Sequence, residues 1–348
     1  MILSASAPES IAACAANIRA GGLIGLPTET VYGLAADAGS DAAVAQIFAA
    51  KGRPADHPLI VHVSSQDGGM AGVAHFAAQV PSFAQQLMSA FWPGPLTLIL
   101  PRREGVGTAA AGGQNSIGLR CPAHPAAQAV LRALHDAPEG QAPVWGLAAP
   151  SANRFGRVSP TTAAHVESEL GTDLLILDGG PCDLGIESTI IDCTRGAPVL
   201  LRPGSISRAQ VEEACGRKLL SKEELDAQAG RGLEAPRASG TLESHYAPNA
   251  KVRLMDAKAL RTALDLLEGA IDQATNASIA VYARTPLKKV PRQILLRTMP
   301  QAAAVTAHEL FSVLRELDAT GVKLIWVETP PDTLEWEGVR DRLQRASA

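Results

Sequence analysis

Residues 51–63 read Lys-Gly-Arg-Pro-Ala-Asp-His-Pro-Leu-Ile-Val-His-Val. Two cations and a stiff Pro turn stand directly before an apolar run that predicts a β-strand. Arg offers phosphate oxygens a planar fork of donors and Lys a compact point charge, so this pairing suits a nucleoside triphosphate. A solvated basic turn followed by a core strand explains the same residues, so the stretch needs support from elsewhere in the chain.

A second stretch, residues 23–35, reads Leu-Ile-Gly-Leu-Pro-Thr-Glu-Thr-Val-Tyr-Gly-Leu-Ala. An apolar run stops at Pro27, and two hydroxyls then flank a carboxylate. The pattern predicts a buried strand that delivers polar groups to the loop at its end, where α/β sheets usually build sites. Three later segments repeat this arrangement: 144–153, 185–192 and 199–204.

Together these motifs resemble those of one family, the YrdC-like domains of threonylcarbamoyl-AMP synthases. The motifs that carry the resemblance follow the family's order and lie at 27–34, 51–54, 92–97, 118–120, 150–153, 187–189 and 201–204. Residues 240–248 resemble the linker of the longer, two-domain members. The resemblance covers residues 8–250, and beyond them it rests on length and on the strand–helix pattern.

Composition narrows the class of protein. The chain has 348 residues, 46% of them hydrophobic and 19% charged, which is enough for two cores. No stretch is apolar enough to span a bilayer and no signal peptide is visible, so we expect a cytoplasmic protein without a membrane partner. The five scattered cysteines lack Cys-x-x-Cys pairs, which favours a reducing compartment. A net charge of −4 disfavours broad nucleic-acid binding.

The resemblance implies an α/β fold with two domains. A YrdC-like catalytic domain with a twisted mixed sheet and a concave active cleft is expected over residues 1–216. Residues 217–250 form the linker, which we expect to act as a lid. Residues 251–348 alternate strands and helices, which predicts a small, open Rossmann-like α/β domain, and they carry no Gly-rich dinucleotide fingerprint.

Several local signals refine this outline. Predicted strands that follow one another without an intervening helix indicate a mixed sheet, and residues 144–148 are among the predicted strands. Ser207 and Gln210 have capping-box spacing, and Thr306-x-x-Glu309 predicts the opening of a helix over 304–317. Residues 217–239 lack periodicity, which is typical of an exposed connection.

The chemistry implied by the resemblance needs no covalent nucleophile. Threonine and bicarbonate give a carbamate, which attacks the α-phosphate of ATP and expels pyrophosphate, so the expected enzyme is a nucleotidyltransferase, an L-threonylcarbamoyladenylate synthase. Positioning and charge neutralisation carry such a step. Its product serves the threonylcarbamoyladenosine modification of tRNA, through a downstream threonylcarbamoyl transferase complex acting on tRNA. No catalytic acid, base or nucleophile is assigned from the sequence.

The resemblance also implies two sets of binding residues. Those on the threonine side are Thr30, His62, Arg120, Ala149 through its backbone, and Ser188. Those on the ATP side are Lys51, Arg53, His57, Ser116, Ser151, Asn153, Ser159, Arg202 and Tyr246. Singly, many have a structural explanation: His62 could be a core histidine, and Ser159 before Pro160 is also a good helix N-cap. As an ordered set they favour the binding roles.

Two departures from the family pattern stand out. His57 occupies a position where many members have Asn, and only His can gain a charge near neutral pH. The segment Ala238-Ser239-Gly240 lacks the usual Pro, which leaves that turn less stiff. Magnesium is expected with ATP; because the sequence shows no carboxylate cluster to hold it, the nucleotide phosphates are expected to supply most of its ligands.

Two other functions stay open from the sequence. One is a double-stranded RNA-binding regulatory protein, which the net acidity opposes. The other is a carbamoyl-adenylate-forming transferase that uses carbamoyl phosphate. Such relatives usually carry acylphosphatase and zinc-finger segments, and neither is visible in this sequence.

Overall fold

A ten-stranded β-sheet carries the first of two structural units in the computed structural model of this chain. The structure describes residues 1–229, 235–240, 245–268, 278–287, 290 and 294–348. The first unit comprises Met1–Phe155 and Ser159–Thr241, and the second comprises Gly156–Val158 and Leu242–Ala348.

The large sheet is mixed, as the sequence predicts. Its strands are β1 (Ile2–Ser4), β2 (Ile24–Leu26), β3 (Gly33–Asp37), β4 (Ile60–His62), β5 (Leu96–Pro101), β6 (Ser116–Arg120), β7 (Leu147–Ala148), β8 (Leu175–Asp178), β9 (Thr189–Asp192) and β10 (Val199–Arg202). Their order across the sheet is β1-β8-β2-β3-β7-β4-β6-β5-β9-β10. Strand β6 pairs parallel with β4 and antiparallel with β5, so the middle of the sheet combines both directions.

Helices pack around this sheet. They are α1 (Pro8–Arg19), α2 (Asp41–Lys51), α3 (Met70–Phe76), α4 (Ser82–Phe91), α5 (Pro125–His135), α6 (Ala163–Leu170), α7 (Arg208–Cys215) and α8 (Lys222–Ala229), with a 3₁₀ turn at Gln66–Gly69. Helix α2 shows why the boundaries fall where they do. The Ser40 side chain accepts a hydrogen bond from Ala43 N at its start, and Gly52 ends it in the left-handed region at φ 61°.

Both faces of the sheet are buried, which explains why several strands read as continuous apolar runs rather than as alternating ones. Along β3, Leu34 and Ala36 belong to one hydrophobic cluster, and Ala35 between them belongs to another. The first cluster includes Val61, and the second includes Leu26. The central strands are therefore fixed by packing on two sides, which gives the loops at their ends a rigid base.

The second unit contains a four-stranded sheet in which every pairing is parallel. Its elements are β11 (Lys251–Met255), α9 (Ala257–Glu268), β12 (Ile279–Ala283), β13 (Ile294–Thr298), α10 (Ala303–Ala319), β14 (Leu324–Glu328), a 3₁₀ turn at Leu334–Trp336 and α11 (Glu337–Ser347). The strand order is β11-β14-β12-β13. This open parallel arrangement confirms the predicted small Rossmann-like domain.

Three local predictions need correction. The structure adds strand β3, which the sequence reading treats as part of the loop after β2. The strand predicted over 144–148 is regular only at Leu147–Ala148. The stretch 217–239 is not simply an exposed connection, because it contains α8 and the buried Leu225. Residues 230–234 of that stretch, and 241–244 of the predicted linker, lie outside the described residues.

Of the two predicted capping boxes, one forms and the other does not. Ser207 and Gln210 form the complete predicted capping box at the start of α7. The box predicted at Thr306 is wrong, because α10 starts earlier, with Ala302 as its N-cap and without a side-chain cap. Thr306 lies inside the helix, and its hydroxyl donates to Pro300 O at 3.2 Å.

Candidate active site

The loop after β2 holds the first group of polar residues in a buried, ordered turn. The Thr28 hydroxyl accepts hydrogen bonds from the backbone N–H groups of Thr30 and Val31 and donates to Val31 O at 2.6 Å. Its oxygen also lies 3.0 Å from Thr30 Oγ1. Side-chain bonds of this kind fix a loop without secondary structure. Thr30 is therefore positioned before any ligand binds.

Arg120 stands at the end of β6, where three neighbouring elements meet. In the strand registers it lies opposite His62 of β4 and opposite Thr97 of β5. Its Nη1 donates to Thr30 Oγ1 at 2.8 Å, and its Nη2 lies 2.7 Å from Glu29 Oε1. Arg120 is 3% exposed, so its charge acts in a site with little solvent screening.

Ser188 joins this group from the loop before β9. Its hydroxyl lies 2.7 Å from Thr97 Oγ1, and both residues are buried. Arg202 donates from Nε and Nη2 to Ser188 O at 3.1 and 3.0 Å and from Nη2 to Ser188 Oγ at 3.2 Å. Arg202 was assigned to the ATP side from the sequence, and the structure brings it against a residue of the threonine side.

His62 and Ala149 complete the threonine side. His62 is buried, and its Nδ1 lies 3.3 Å from Ile60 O. Burial first, and then the Arg120 charge, lowers the pKa of His62 to about 3, so the ring is neutral at working pH. The Ala149 N–H donates to Ile60 O at 3.0 Å. Because that N–H is already used, the carbonyl of Ala149 is the backbone group left for a ligand.

Lys51, at the end of α2, is directed at the loop after β7. Its Nζ donates to Ser151 O at 2.6 Å and to Asn153 O. Burial, and then the nearby Arg53 charge, lowers the pKa of Lys51 well below its usual value. These two bonds organise the loop that carries Ser151 and Asn153.

Arg53 and His57 lie beside the ring of Phe155, a residue that is not among the binding residues predicted from the sequence. Arg53 Cζ lies 5.8 Å from the centroid of the Phe155 ring, and the His57 ring lies 5.5 Å from it. Arg53 Nη2 donates to Pro58 O at 2.8 Å. Burial first, and then the Arg53 charge, lowers the pKa of His57. An aromatic face beside two nitrogen-rich side chains can take part in stacking a base.

The remaining polar residues of the ATP side come from the same region of the chain. Ser151 forms an isolated bridge with Gly33, which ties it to β3. Asn153 is buried and donates from Nδ2 to Arg154 O at 2.7 Å. The Ser159 hydroxyl donates to the buried Glu187 carboxylate. Ser159 is not the cap of α6, because Thr162 fills that role.

A shallow surface pocket lies beside these cations, next to β4, β5 and β6. Ile60, Ile99 and Gly118 form its apolar part, and Ser116 lies at its edge. A Cβ atom at position 118 would come 3.2 Å from Ile99 Cδ1, so glycine keeps this surface open. Gln114 lines the pocket with Ser116, so the pocket offers a small apolar surface bordered by polar groups, a combination common where ligands bind.

Residues 237–239 line the same pocket and contact both ATP-side arginines. Arg53 Nη2 lies 3.4 Å from Ser239 Oγ, and Arg202 Nη1 donates to Ser239 O at 3.0 Å. Gln114 binds the backbone of Arg237 twice, accepting from its N at 2.8 Å and donating to its O at 3.3 Å. The predicted linker thus reaches the pocket through residues 237–239.

Tyr246 belongs to the second unit, whereas the site residues described above belong to the first. Its backbone has a φ of 65°, an uncommon conformation for a bulky residue. Its ring contacts Phe311 at 5.3 Å between centroids and lies under the Arg342 guanidinium. Backbone strain of this kind, on the order of 1–3 kcal/mol, is typical of functional segments. The ATP-binding role of Tyr246 stays a prediction.

Several residues at the site were not assigned from the sequence: Glu29, Thr97, Gln114, Phe155 and Glu187. Glu29 and Glu187 lie inside quoted motifs, so their position in a polar loop after an apolar run was the available signal. Thr97 also lies inside a quoted motif, but within a predicted strand, and its contact follows from the pairing of β5 with β6. Gln114 had no signal, because its contact depends on the path of a distant segment.

The described residues contain no group of three or more His, Cys, Asp or Glu side chains that could hold a metal ion. Within the described part of the chain, no helix has both the length and the apolar character needed to cross a membrane.

Two family models match the chain. The first, for the Sua5, YciO and YrdC proteins and described as "Telomere recombination", matches residues 16–204. The second, described as "Threonylcarbamoyl-AMP synthase, C-terminal domain", matches residues 206–348. The two matches together leave out only the first 15 residues and residue 205.

Two relatives match this chain over nearly its whole length. The threonylcarbamoyl-AMP synthase of Pyrococcus abyssi is 36% identical over 95% of this chain and 92% of its own length. That of Bacillus subtilis is 36% identical over 99% of this chain and 94% of its own length. The crystal structure of P. abyssi Sua5 complexed with L-threonine superposes with a TM-score of 0.84 and 34% identity, covering 100% of this chain and 97% of that one.

Proposed function

The chain belongs to the Sua5, YciO and YrdC family, and we propose that it is a threonylcarbamoyl-AMP synthase that joins L-threonine, bicarbonate and ATP. The products are threonylcarbamoyl-AMP and pyrophosphate, so the activity is a nucleotidyl transfer. The adenylate serves the threonylcarbamoyladenosine modification of tRNA, and a downstream threonylcarbamoyl transferase complex is the expected recipient. The cytoplasmic location stays part of this proposal.

The observation that carries the proposal is the division of one buried region into two ends along β6. Arg120, with Thr30 and Ser188 close by, occupies one end of the strand, and Ser116 beside the apolar pocket occupies the other. Four residue steps of about 3.3 Å separate Ser116 from Arg120 by about 13 Å. That spacing suits an amino acid at one end and a nucleoside at the other, with the reacting phosphate between them.

The residues divide the work in the following way. Arg120 takes the threonine carboxylate through its planar donors, and the Thr97–Ser188 hydroxyl pair receives the threonine hydroxyl. Neutral His62 and the Ala149 carbonyl line the same end. Each is held by the sheet, so little is lost in ordering them when threonine binds.

The ATP end neutralises charge. Lys51, Arg53 and Arg202 converge on the region where the phosphates would lie, and His57 and Phe155 stand near the nucleoside. The carbamate oxygen attacks the α-phosphorus and pyrophosphate leaves in line, a step that needs positioning and cationic stabilisation rather than a protein nucleophile. Magnesium would accompany ATP through the phosphates themselves.

Mass spectrometry tests the proposal directly. The protein is incubated with ATP, L-threonine and bicarbonate, and threonylcarbamoyl-AMP is expected together with an equal amount of pyrophosphate. Leaving out either threonine or bicarbonate should abolish both products. Pyrophosphate release at full rate without threonine contradicts the proposal, and product formed only from carbamoyl phosphate would favour a carbamoyl-adenylate-forming transferase instead.

A further inference from the structure

Glu29 and Arg120 form a buried ion pair. Arg120 has further hydrogen-bond partners among the described residues, whereas the Glu29 carboxylate accepts no hydrogen bond from them. The atoms Glu29 Oε1 and Arg120 Nη2 lie 2.7 Å apart, and the residues are 5% and 3% exposed. Arg120 also donates to Thr30 Oγ1 at 2.8 Å and to Gly94 O at 3.3 Å. Neither oxygen of Glu29 accepts a hydrogen bond of normal geometry from the described residues.

This imbalance points to an absent donor. A carboxylate has about four acceptor positions, and a buried one is normally surrounded by N–H or O–H donors. The loop that carries Glu29 is fixed by the bonds of Thr28, so Glu29 is held in place without donors of its own. A ligand with a compact group of several donors would fill the unused positions.

An amino acid has such a group. Its carboxylate and ammonium are attached to the same carbon, and an adjacent Arg and Glu present the opposite charges side by side. We propose, on the basis of the proposed function, that Glu29 binds the α-ammonium group of L-threonine while Arg120 binds its carboxylate, and that Glu29 accepts the ammonium proton as the carbamate forms.

The step balances as written. Even a peptide α-amino group has a pKa of about 8, and the ionised carboxylate of a free amino acid raises that pKa further, so threonine arrives protonated and its nitrogen has no free electron pair. One proton moves from the ammonium to the Glu29 carboxylate. The freed pair forms the N–C bond to bicarbonate, the C–OH bond breaks, and the hydroxide leaves as water with a second proton from nitrogen. Glu29 then returns its proton to solvent.

The described titratable groups around Glu29 include Arg120, Cys121 and Cys182. His62 lies opposite Arg120 in the strand register, and because burial lowers its pKa to about 3 it accepts a proton only at low pH. Burial raises the pKa of Cys121 to about 12 and that of Cys182 further still, so both remain neutral thiols. Among these groups, Glu29 is the buried carboxylate that accepts no hydrogen bond from the described residues, so we assign it the ammonium proton.

A merely structural role for Glu29 makes a different prediction. If Glu29 only orients Arg120, its loss should impair every reaction of the bound amino acid equally. If it accepts the ammonium proton, its loss should spare the reverse nucleotidyl step. In that step pyrophosphate attacks threonylcarbamoyl-AMP and releases ATP and the carbamate, and no amine is deprotonated.

The experiment compares both directions in the full-length protein and in Glu29→Gln. Forward formation of threonylcarbamoyl-AMP at pH 7 should fall about 100-fold or more, a usual effect of losing a proton acceptor. ATP formation from threonylcarbamoyl-AMP and pyrophosphate should change less than about 3-fold on the same reasoning. The forward rate of the variant should rise towards pH 9, where free amine accumulates. Glu104→Gln, at an exposed position, is the matched control.

Equal losses in the two directions with a flat pH profile would overturn the proposal and leave Glu29 a positioning residue for Arg120. If Glu29→Gln does not fold, both rates are measured on Glu29→Asp, which keeps the charge but withdraws it by one methylene. The same inequality between directions is expected there at smaller size, and its absence counts against the proposal. Failure of the unmodified protein to make threonylcarbamoyl-AMP would instead refute the proposed function.

Discussion

Single side chains already distinguish the two ends of the site. Arg120 is held by Glu29, Thr30 and Gly94 O in a buried setting, so its geometry is prepared for a small carboxylate. Arg53 lies beside an aromatic ring at the ATP end. Arg202 lies between these ends, because it holds both the carbonyl and the hydroxyl of Ser188. Replacing each of the three arginines should therefore have a different effect on threonine binding and on ATP use.

We expect Arg120→Ala to weaken threonine binding and Arg53→Ala to weaken ATP use, each by about 2–3 kcal/mol, the usual size of a charge-assisted contact. Arg202→Ala should impair both, because its loss also frees Ser188. Titration calorimetry with threonine and the KM for ATP separate these effects. Arg132→Ala, at an exposed position on α5, is the control, and normal threonine binding by Arg120→Ala would contradict the assignment.

The buried ring of His62 makes stability depend on pH. Because burial lowers its folded-state pKa from 6.5 to about 3, the unfolded chain binds a proton between these values while the folded protein does not. Stability is therefore complete above pH 6.5 and falls as the pH drops towards 3. Between pH 7 and 5 this residue should account for about 2 kcal/mol of lost stability.

Urea unfolding at the two pH values checks this expectation. His62→Gln should lose about 2 kcal/mol less than the unmodified protein between pH 7 and 5. His308→Gln, which replaces an exposed histidine, serves as the control. An unchanged difference between the two pH values in His62→Gln would show that this ring is not the source of the acid sensitivity.

Among the elements, the segment 235–240 depends on contacts made by one distant side chain. Gln114 binds both backbone groups of Arg237, and an exposed ion pair joins Arg237 to Asp56. Exposed pairs contribute little, so the amide should dominate. Gln114→Ala is expected to speed amide exchange of residues 235–240 several-fold, measured by hydrogen–deuterium exchange. Gln85→Ala is the control, and equal exchange in both variants would mean that Gln114 does not hold the segment.

Helix α7 offers a simpler test of local sequence rules. The Ser207 hydroxyl accepts from Gln210 N, and the Gln210 side chain accepts from Ser207 N. Ser207→Ala should lower the free energy of unfolding by about 1 kcal/mol, the usual cost of losing a cap. Ser168→Ala, within α6, should cost less. Chemical denaturation compares the two, and equal losses would show that the capping box adds nothing specific.

Elements with a strong periodic pattern and clear ends were predictable from the sequence, whereas contacts between distant elements were not. The capping box of Ser207 and Gln210 forms at the start of α7, as its spacing indicates. Strand β3 was missed because Leu34-Ala35-Ala36 looks like the tail of a polar loop, and only pairing on both sides makes it a strand. The Thr306 box has the right spacing but lies inside α10, since propensity cannot say where packing starts a helix.

In the candidate active site, too, local motifs were predictable and contacts between distant elements were not. Motif residues such as Arg120 and Lys51 could be found because several motifs occur in a family order. Their partners could not, since the contact of Thr97 with Ser188 and that of Gln114 with Arg237 depend on strand pairing and on chain path. The sequence therefore predicts which groups meet a ligand better than it predicts what holds them.

For the whole molecule, the first unit has a core of its own, and we expect residues 1–241 to fold without the rest. A cut near residue 216 would be worse, because Leu220 exchanges backbone hydrogen bonds with the chain at Pro198 and Leu200, and Leu225 is buried. A chain ending at 241 should unfold cooperatively but form little threonylcarbamoyl-AMP, if the predicted lid over 217–250 is needed. Full activity of the shortened chain would show that the lid does not need residues 242–250.

The five cysteines provide a further way to follow the molecule. All are buried and free, and all lie between residues 14 and 215, so the second unit, as the sequence shows, has no thiol. Burial raises the pKa of Cys14 to about 11, which keeps it inert until the chain opens. The rate at which a thiol reagent labels the native protein therefore measures how often the first unit opens, without a contribution from the second unit. Because Cys121 and Cys182 adjoin the Glu29–Arg120 pair, threonine should slow labelling there more than at Cys215, and the protein carries its own reporters of substrate binding.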